Sequence, residues 1–200
     1  MIKLTIDRLL TIDATGMPKA PNITQLLDKD VRELWARDNT PDKSLYIKEA
    51  GVIYYLADPK SPTRQQGLTD RECIKAAIEN YDLPKDYLPD KVVWDIVKKY
   101  SEQVSGPAMK AVISLRKSLH NTTIASDKIN ELLNEKLTNG ITDDDIAVTI
   151  SYIDSINKKI TEIPGLLAAL RKAEDEVLNE QETMTARGGQ QIMSSMIEEE

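Results

Sequence analysis

Phenylalanine is absent from this 200-residue chain, and tryptophan and tyrosine bring the aromatic content to only 4%. A single cysteine, Cys73, excludes an internal disulfide, and one cysteine with one histidine excludes a Cys/His zinc site. Long apolar runs are missing too. The longest nearly apolar stretch is Ala50 to Ala57, against the roughly 20 residues a bilayer-spanning helix needs, so no membrane is expected among its partners. Lys3, Asp7, Arg8 and Asp13 interrupt the beginning, so we expect no secretory leader. Excess positive charge is lacking as well: 26 Lys+Arg against 33 Asp+Glu give a net −7. That excludes a general nucleic-acid binder, which needs a basic face to displace counterions from phosphates. A hydrophobic fraction of 40% and a charged fraction of 30% predict a soluble, intracellular chain of one domain, or one domain with an extension.

The negative charge is concentrated at one end. Residues 174–200 hold eight acids and one base, Arg187, whereas residues 1–173 balance at 25 of each. Within this tail, Ile192, Met193, Met196 and Ile197 recur at helical spacing, after a predicted hinge at Arg187-Gly188-Gly189. Two readings stay open: a solvated tail that aids solubility, or an arm that docks on a basic neighbour. In the second, Ile192, Met193, Met196 and Ile197 fill an apolar groove, and Glu198–Glu200 meet bases such as Lys158-Lys159 or Arg171-Lys172.

Alternation of Ile2, Leu4 and Ile6 with Lys3, Thr5 and Asp7 predicts a strand. Leu9 to Ile12 either continues it or returns as a hairpin before Gly16 and Pro18. Such a pair needs a helical body to lie on, or strands of another chain. Helices follow. Asn22 with Gln25 forms a capping-box start for a face of Ile23, Leu27, Val31, Leu34 and Trp35, ending at Asn39-Thr40-Pro41. Leu45 to Leu56 carries both helical spacing and the β-rich Val52-Ile53-Tyr54-Tyr55. Pro41-Asp42 and Asp58-Pro59 as start and stop decide for helix. Gly51 weakens that helix, so we expect it to permit a close contact. Asp58 to Gly67 reads as irregular loop. Thr69 with Glu72 caps a helix bearing Ile74, Ala77, Ile78 and Tyr81, and Asp90 caps one bearing Val93, Ile96, Val97 and Tyr100.

Gly106-Pro107 opens the longest pattern, Met109, Val112, Ile113 and Leu119 through Ile129, Leu132, Leu133 and Leu137 to Gly140. The polar stretch His120 to Thr123 leaves open whether it is one helix or two. Thr142 with Asp143–Asp145 restarts a helix with Ile146, Ile150, Ile153 and Ile160 on its face, carried past Pro164 by Leu166, Leu167, Leu170, Val177 and Leu178. The fold class is therefore mainly α. It has an N-terminal β segment (1–21), a body of short helices (22–105), a long antiparallel helical hairpin (106–186) and an extended arm (187–200). The hairpin stripes are too narrow for a thick core, so Ile146, Ile150 and Ile153 are candidate interface residues toward another copy or subunit.

No constellation carries chemistry. Asp143-Asp144-Asp145 lacks the spaced oxygens and closing Glu of a calcium loop and suits a helix N-terminus. His120 has no nucleophile at recognisable spacing, and Cys73 suits a small buried side chain. Gly188-Gly189 and Gly106-Pro107 lack the context of a phosphate loop. The basic pairs Lys98-Lys99, Arg116-Lys117, Lys158-Lys159 and Arg171-Lys172 read as solvated faces. No catalytic, metal or cofactor-binding residue is assigned, and no enzyme activity or cofactor is expected.

The stretch Glu49 to Pro62, EAGVIYYLADPKSP, is followed by Asp70-Arg71-Glu72, Leu83-Pro84, Pro89-Asp90 and Tyr100. Over residues 45–105 this resembles structural proteins of tailed-phage virions, of crAss-like and related large phages. The resemblance implies a virion component of the head–tail connector or tail, such as an adaptor ring beneath the portal, assembled in the host cytoplasm. Its partners would be copies of itself in a ring and neighbouring portal, connector or tail proteins, with no specific nucleic acid. The alternative is an assembly factor, a scaffold or tail-assembly chaperone, that is not retained in the particle.

Overall fold

Helix α3 (Ser44–Ala57) is apolar around nearly its whole circumference, and Tyr46, Ala50, Val52, Ile53, Leu56 and Ala57 are all buried. Such a helix can exist only with neighbours on every side. The computed structural model, which describes residues 4, 6–12, 17–140 and 145–197 (without the side chains of 181 and 184–197), supplies them. The chain divides into two units, Met1–Gly106 and Pro107–Glu200. In the first, α3 packs against α4 (Pro62–Gln65), α5 (Asp70–Asn80) and α6 (Lys91–Val104), and α2 (Lys29–Arg37) packs on α6. The strand-like Val52-Ile53-Tyr54-Tyr55 run is thus helical because burial on all sides favours β-branched and aromatic side chains as much as a sheet does.

The N-terminal segment belongs to this core. Leu9 is fully buried, Leu4 nearly so, and the Tyr46 hydroxyl donates to the Leu9 carbonyl at 2.7 Å. The expected strand is corrected at Ile6, where α1 (Ile6–Leu9) is a single helical turn. A turn satisfies its own backbone groups, which a lone strand cannot. Nor is the expected hairpin of Leu9–Ile12 with the preceding segment found among the described residues; instead β1 (Thr11–Ile12) runs antiparallel to β2 (Pro18–Lys19), with Thr11 opposite Lys19.

Two other boundaries move. Asn22 and Gln25 do form a capping box, but on a 3-10 turn, Ile23–Gln25, that stops at Leu26. Asp28 then caps α2 by accepting from the Asp30 amide at 2.9 Å and the Val31 amide at 3.3 Å, which leaves Leu27 exposed. Asp58 to Gly67 contains a helical turn, α4, with Ser61 as its cap and Pro62 as its first residue. The Thr69/Glu72 box and the Asp90 cap form as expected.

The start of α3 has an unusual cap. Lys43 holds a left-handed backbone (φ 55°) and supplies no side-chain cap. Asp38 acts instead from the end of α2. One carboxylate oxygen accepts from the Thr40 amide and hydroxyl, and the other from the Tyr46 amide at 2.8 Å. Lys43 donates to the Asp38 carbonyl and stands 3.9 Å over the Trp35 ring, which offsets its strained backbone.

In the second unit, α7 (Pro107–Asn139) is one helix of 33 residues, about 50 Å long at 1.5 Å per residue. It runs unbroken through the polar patch, where the hydroxyls find partners on their own helix: Thr123 donates to the Leu119 carbonyl and Ser126 to the Thr122 carbonyl. Gly140, at φ 85°, closes it in the left-handed conformation a C-terminal cap requires. Helix α8 (Ile146–Ile197) has 52 residues and continues past Pro164. The Arg116–Glu174 and Lys136–Asp145 ion pairs fix its antiparallel register on α7. Its backbone also carries on through Gly188 and Gly189, where a hinge is expected from sequence; glycine costs a helix about 1 kcal/mol without barring it.

Two predictions follow from this packing. A Cβ at Gly51 would lie inside van der Waals contact of the Tyr81 ring. Gly51→Ala should therefore cost about 1–3 kcal/mol in denaturant unfolding, and less in a Tyr81→Ala background, where the ring is gone. Asp38 is the second. Burial alone would raise its pKa, but the Tyr46 and Thr40 hydrogen bonds and the Lys43 charge outweigh burial and hold it below the usual carboxylate value. A depressed carboxylate stabilises the fold above its unfolded pKa of about 3.9, and that contribution fades as pH falls through the lower folded value. Urea melts below about pH 5 should show this loss, and Asp38→Asn should flatten it while costing about 1–3 kcal/mol at neutral pH.

Candidate functional site

The buried and half-buried ionic groups of the first unit tie its helices together. Arg37, at the end of α2, bonds both Glu49 on α3 and Asp90, the cap of α6. The Tyr100 hydroxyl donates to buried Asp58. The Arg64 guanidinium, nearly buried, donates to the Leu56 carbonyl at 2.8 Å and to Asp70 at 2.9 Å. Leu56 lies in the last turn of α3, so Arg64 satisfies a carbonyl the helix leaves orphaned. The residues of the distinctive Glu49–Pro62 stretch are thus consumed by architecture: Glu49 and Asp58 bind side chains of other helices, and Ser61 caps α4.

Other candidates are similarly placed. Cys73 is a buried free thiol with its sulfur 3.7 Å from the Leu68 carbonyl. His120 lies part-buried on α7. Asp143 and Asp144 fall outside the described residues, and Asp145 pairs with Lys136. Among the described residues no group of His, Cys, Asp or Glu could hold a metal ion, and no helix is long and apolar enough to cross a membrane. An open concavity of about 700 Å³ lies beside the β-hairpin, lined by Thr11, Ile12, Lys19, Pro21, Asn22 and Trp35 among others. Among the described residues lining it, Lys19 is the one charged side chain, and the Trp35 indole is already bonded to the Pro21 carbonyl at 3.1 Å.

Helix α8 is different, because its apolar residues form two parallel lines. One line, Thr149, Tyr152, Ile156, Ile163, Leu166, Leu170, Ala173 and Val177, is buried or half-buried. Toward its C-terminal end it meets Ala108 and Val112 of α7, and Ala108, Val112, Ala173 and Val177 are buried there. The second line is displaced by one residue, hence about 100° around the helix. It comprises Ile146, Ile150, Ile153, Asn157, Ile160, Pro164 and Leu167, and Leu178 continues the spacing beyond Arg171 and Glu174. All its apolar members are exposed, Ile150 at 54% and Ile160 at 56%.

The predicted interface residues Ile146, Ile150 and Ile153 therefore share one exposed seam. Sequence reasoning missed that Leu167 and Leu178 belong to it while Leu166, Leu170 and Val177 do not. The signal was present as alternate spacings of three and four residues, but two such lines one residue apart read as a single broad stripe. The side chains of Ile192, Met193, Met196 and Ile197 lie outside the described residues, as do Glu198–Glu200. Of the basic pairs, Lys99 is bonded to Asp28 and Asp30, Arg116 to Glu174 and Lys159 to Glu162.

The outer face of α7 contrasts with this seam, carrying Lys110, Ser114, Lys117, Asn121, Lys128 and Glu131 with Ile124 and Leu137 as isolated exposed apolar residues. Among the described residues of the second unit, most of the large exposed apolar side chains lie on one side of α8, with Val148 on its other side. No family model, curated protein or solved structure matches the chain.

Proposed function

We propose that this protein is a structural assembly subunit of a tailed-phage virion, a ring or adaptor component of the head–tail connector or tail. The observation that carries the assembly reading is the exposed seam of α8. A helical hairpin with four buried apolar residues among those described leaves much of its apolar surface in water, and further helices packed on it relieve that cost. The resemblance of residues 45–105 to virion proteins supports the particle as the setting. The first unit, whose polar network is spent on its own helices, serves as a rigid body that carries the hairpin. The partners in this reading are copies of the same chain and the adjoining portal, connector or tail proteins.

Retention in the particle separates this reading from a scaffold or tail-assembly chaperone, which meets the same apolar surfaces and then departs. Quantitative mass spectrometry of purified virions should find the chain at a fixed copy number per particle. Its absence from virions, with presence in assembly intermediates, selects the assembly factor. Deleting residues 188–200 should leave the melting of the body unchanged and prevent incorporation. Infectious particles formed by that deletion would make the acidic end a solubility tail.

A further inference from the structure

We propose that the exposed seam of α8 is occupied by the same seam of a second copy, running parallel and in register, so that two hairpins form a four-helix layer. This deepens the self-assembly reading and rests on it. Three observations favour a second copy over an unlike partner.

The first is extent. From Ile146 to Leu178 the seam is about 48 Å long, and with a helix about 11 Å wide it offers about 500 Å² per copy. A pair of copies removes about 1,000 Å², which reaches what a specific interface needs. The area grows once Ile156, Ile163 and Leu166, which α7 only half covers, are reached by the second hairpin. The second is charge. Between Ile146 and Leu167 the seam has no ionisable residue, so two copies meet there without like-charge repulsion, whereas a phosphate backbone or an acidic or basic peptide finds no counter-charge. Further on, Glu174 is held by Arg116 of its own hairpin, and the exposed Arg171 can turn its head to solvent.

The third is Asn157. It interrupts the isoleucines of the seam at its middle, where an unlike apolar partner would leave its amide without hydrogen bonds. A two-fold axis along the helices sets Asn157 against Asn157, whose amides can donate to and accept from each other. A single amide in an apolar seam fixes register and copy number in this way at some cost in affinity.

The test uses the full-length chain. Sedimentation velocity over a concentration series should show reversible dimers or multiples of dimers. Ile150→Glu with Ile160→Glu, both at exposed positions, should keep the helical circular dichroism and raise the dissociation constant about a hundredfold or more. Asn157→Cys under mild oxidation should give a disulfide-linked dimer in high yield, while the wild type, whose one thiol is buried, should give none. Ser151→Cys, on the outward side of the helix, should cross-link poorly. A chain that stays monomeric at every concentration overturns both this proposal and the self-assembly reading. Oligomers that survive the double Glu substitution, or that cross-link equally through residues 151 and 157, overturn the proposed seam alone and leave self-assembly standing through another face.

Discussion

Burial of α3 is the constraint on which the first unit depends. A helix enclosed on all sides must have both ends and its one buried acid satisfied from elsewhere, because unpaired polar groups in an apolar interior cost more than their burial returns. Most of these demands are met, each by a different element, and one oxygen of Glu49 is left buried without a partner among the described residues. Asp38 from α2 supplies the amino-terminal cap, Arg37 meets Glu49, and Arg64 from α4 holds the Leu56 carbonyl near the other end. Asp58, just past that end, receives the Tyr100 hydroxyl of α6. Satisfying α3 therefore fixes the positions of α2, α4 and α6. The left-handed backbone at Lys43 and the missing side chain at Gly51 are local concessions to the same packing.

The hairpin is organised by the opposite circumstance. Its helices are long and its buried core small, so its stability comes from narrow lines of contact at alternate spacings of three and four residues, the repeat of packed helices in coiled coils and bundles. A helix carrying two such lines about 100° apart can touch neighbours on two sides at once. The fold itself provides α7 for one of them. The proposed role follows from the other, and it calls on burial of aliphatic surface rather than on a reactive group.

Legibility differed between the units for a physical reason. Caps are local, involving residues three or four apart, so the boxes at Thr69/Glu72 and the cap at Asp90 were visible in the sequence. So were the helical nature of Leu45 to Leu56 and the boundary at Gly106-Pro107. The break at Leu26 and the turn at Pro62 had local signals as well, Asp28 and Ser61-Pro62. Helical spacing of Leu27 with its neighbours outweighed the first, and the density of proline and glycine hid the second.

By itself the sequence determined the mainly helical class, the division near residue 106, the antiparallel hairpin and the placing of Ile146, Ile150 and Ile153 on one helical face. Those follow from periodicity, caps and breakers, which act within a few residues. Only the tertiary structure decided that residues near the N-terminus enter the core through Leu4 and Leu9. It also decided that Asp38 caps a helix through an amide eight residues away, that Tyr81 is the neighbour for which Gly51 is small, and which α8 residues α7 covers. Each of these joins groups distant along the chain or separates faces that one periodicity merges, and no local rule specifies which partner a buried surface will find.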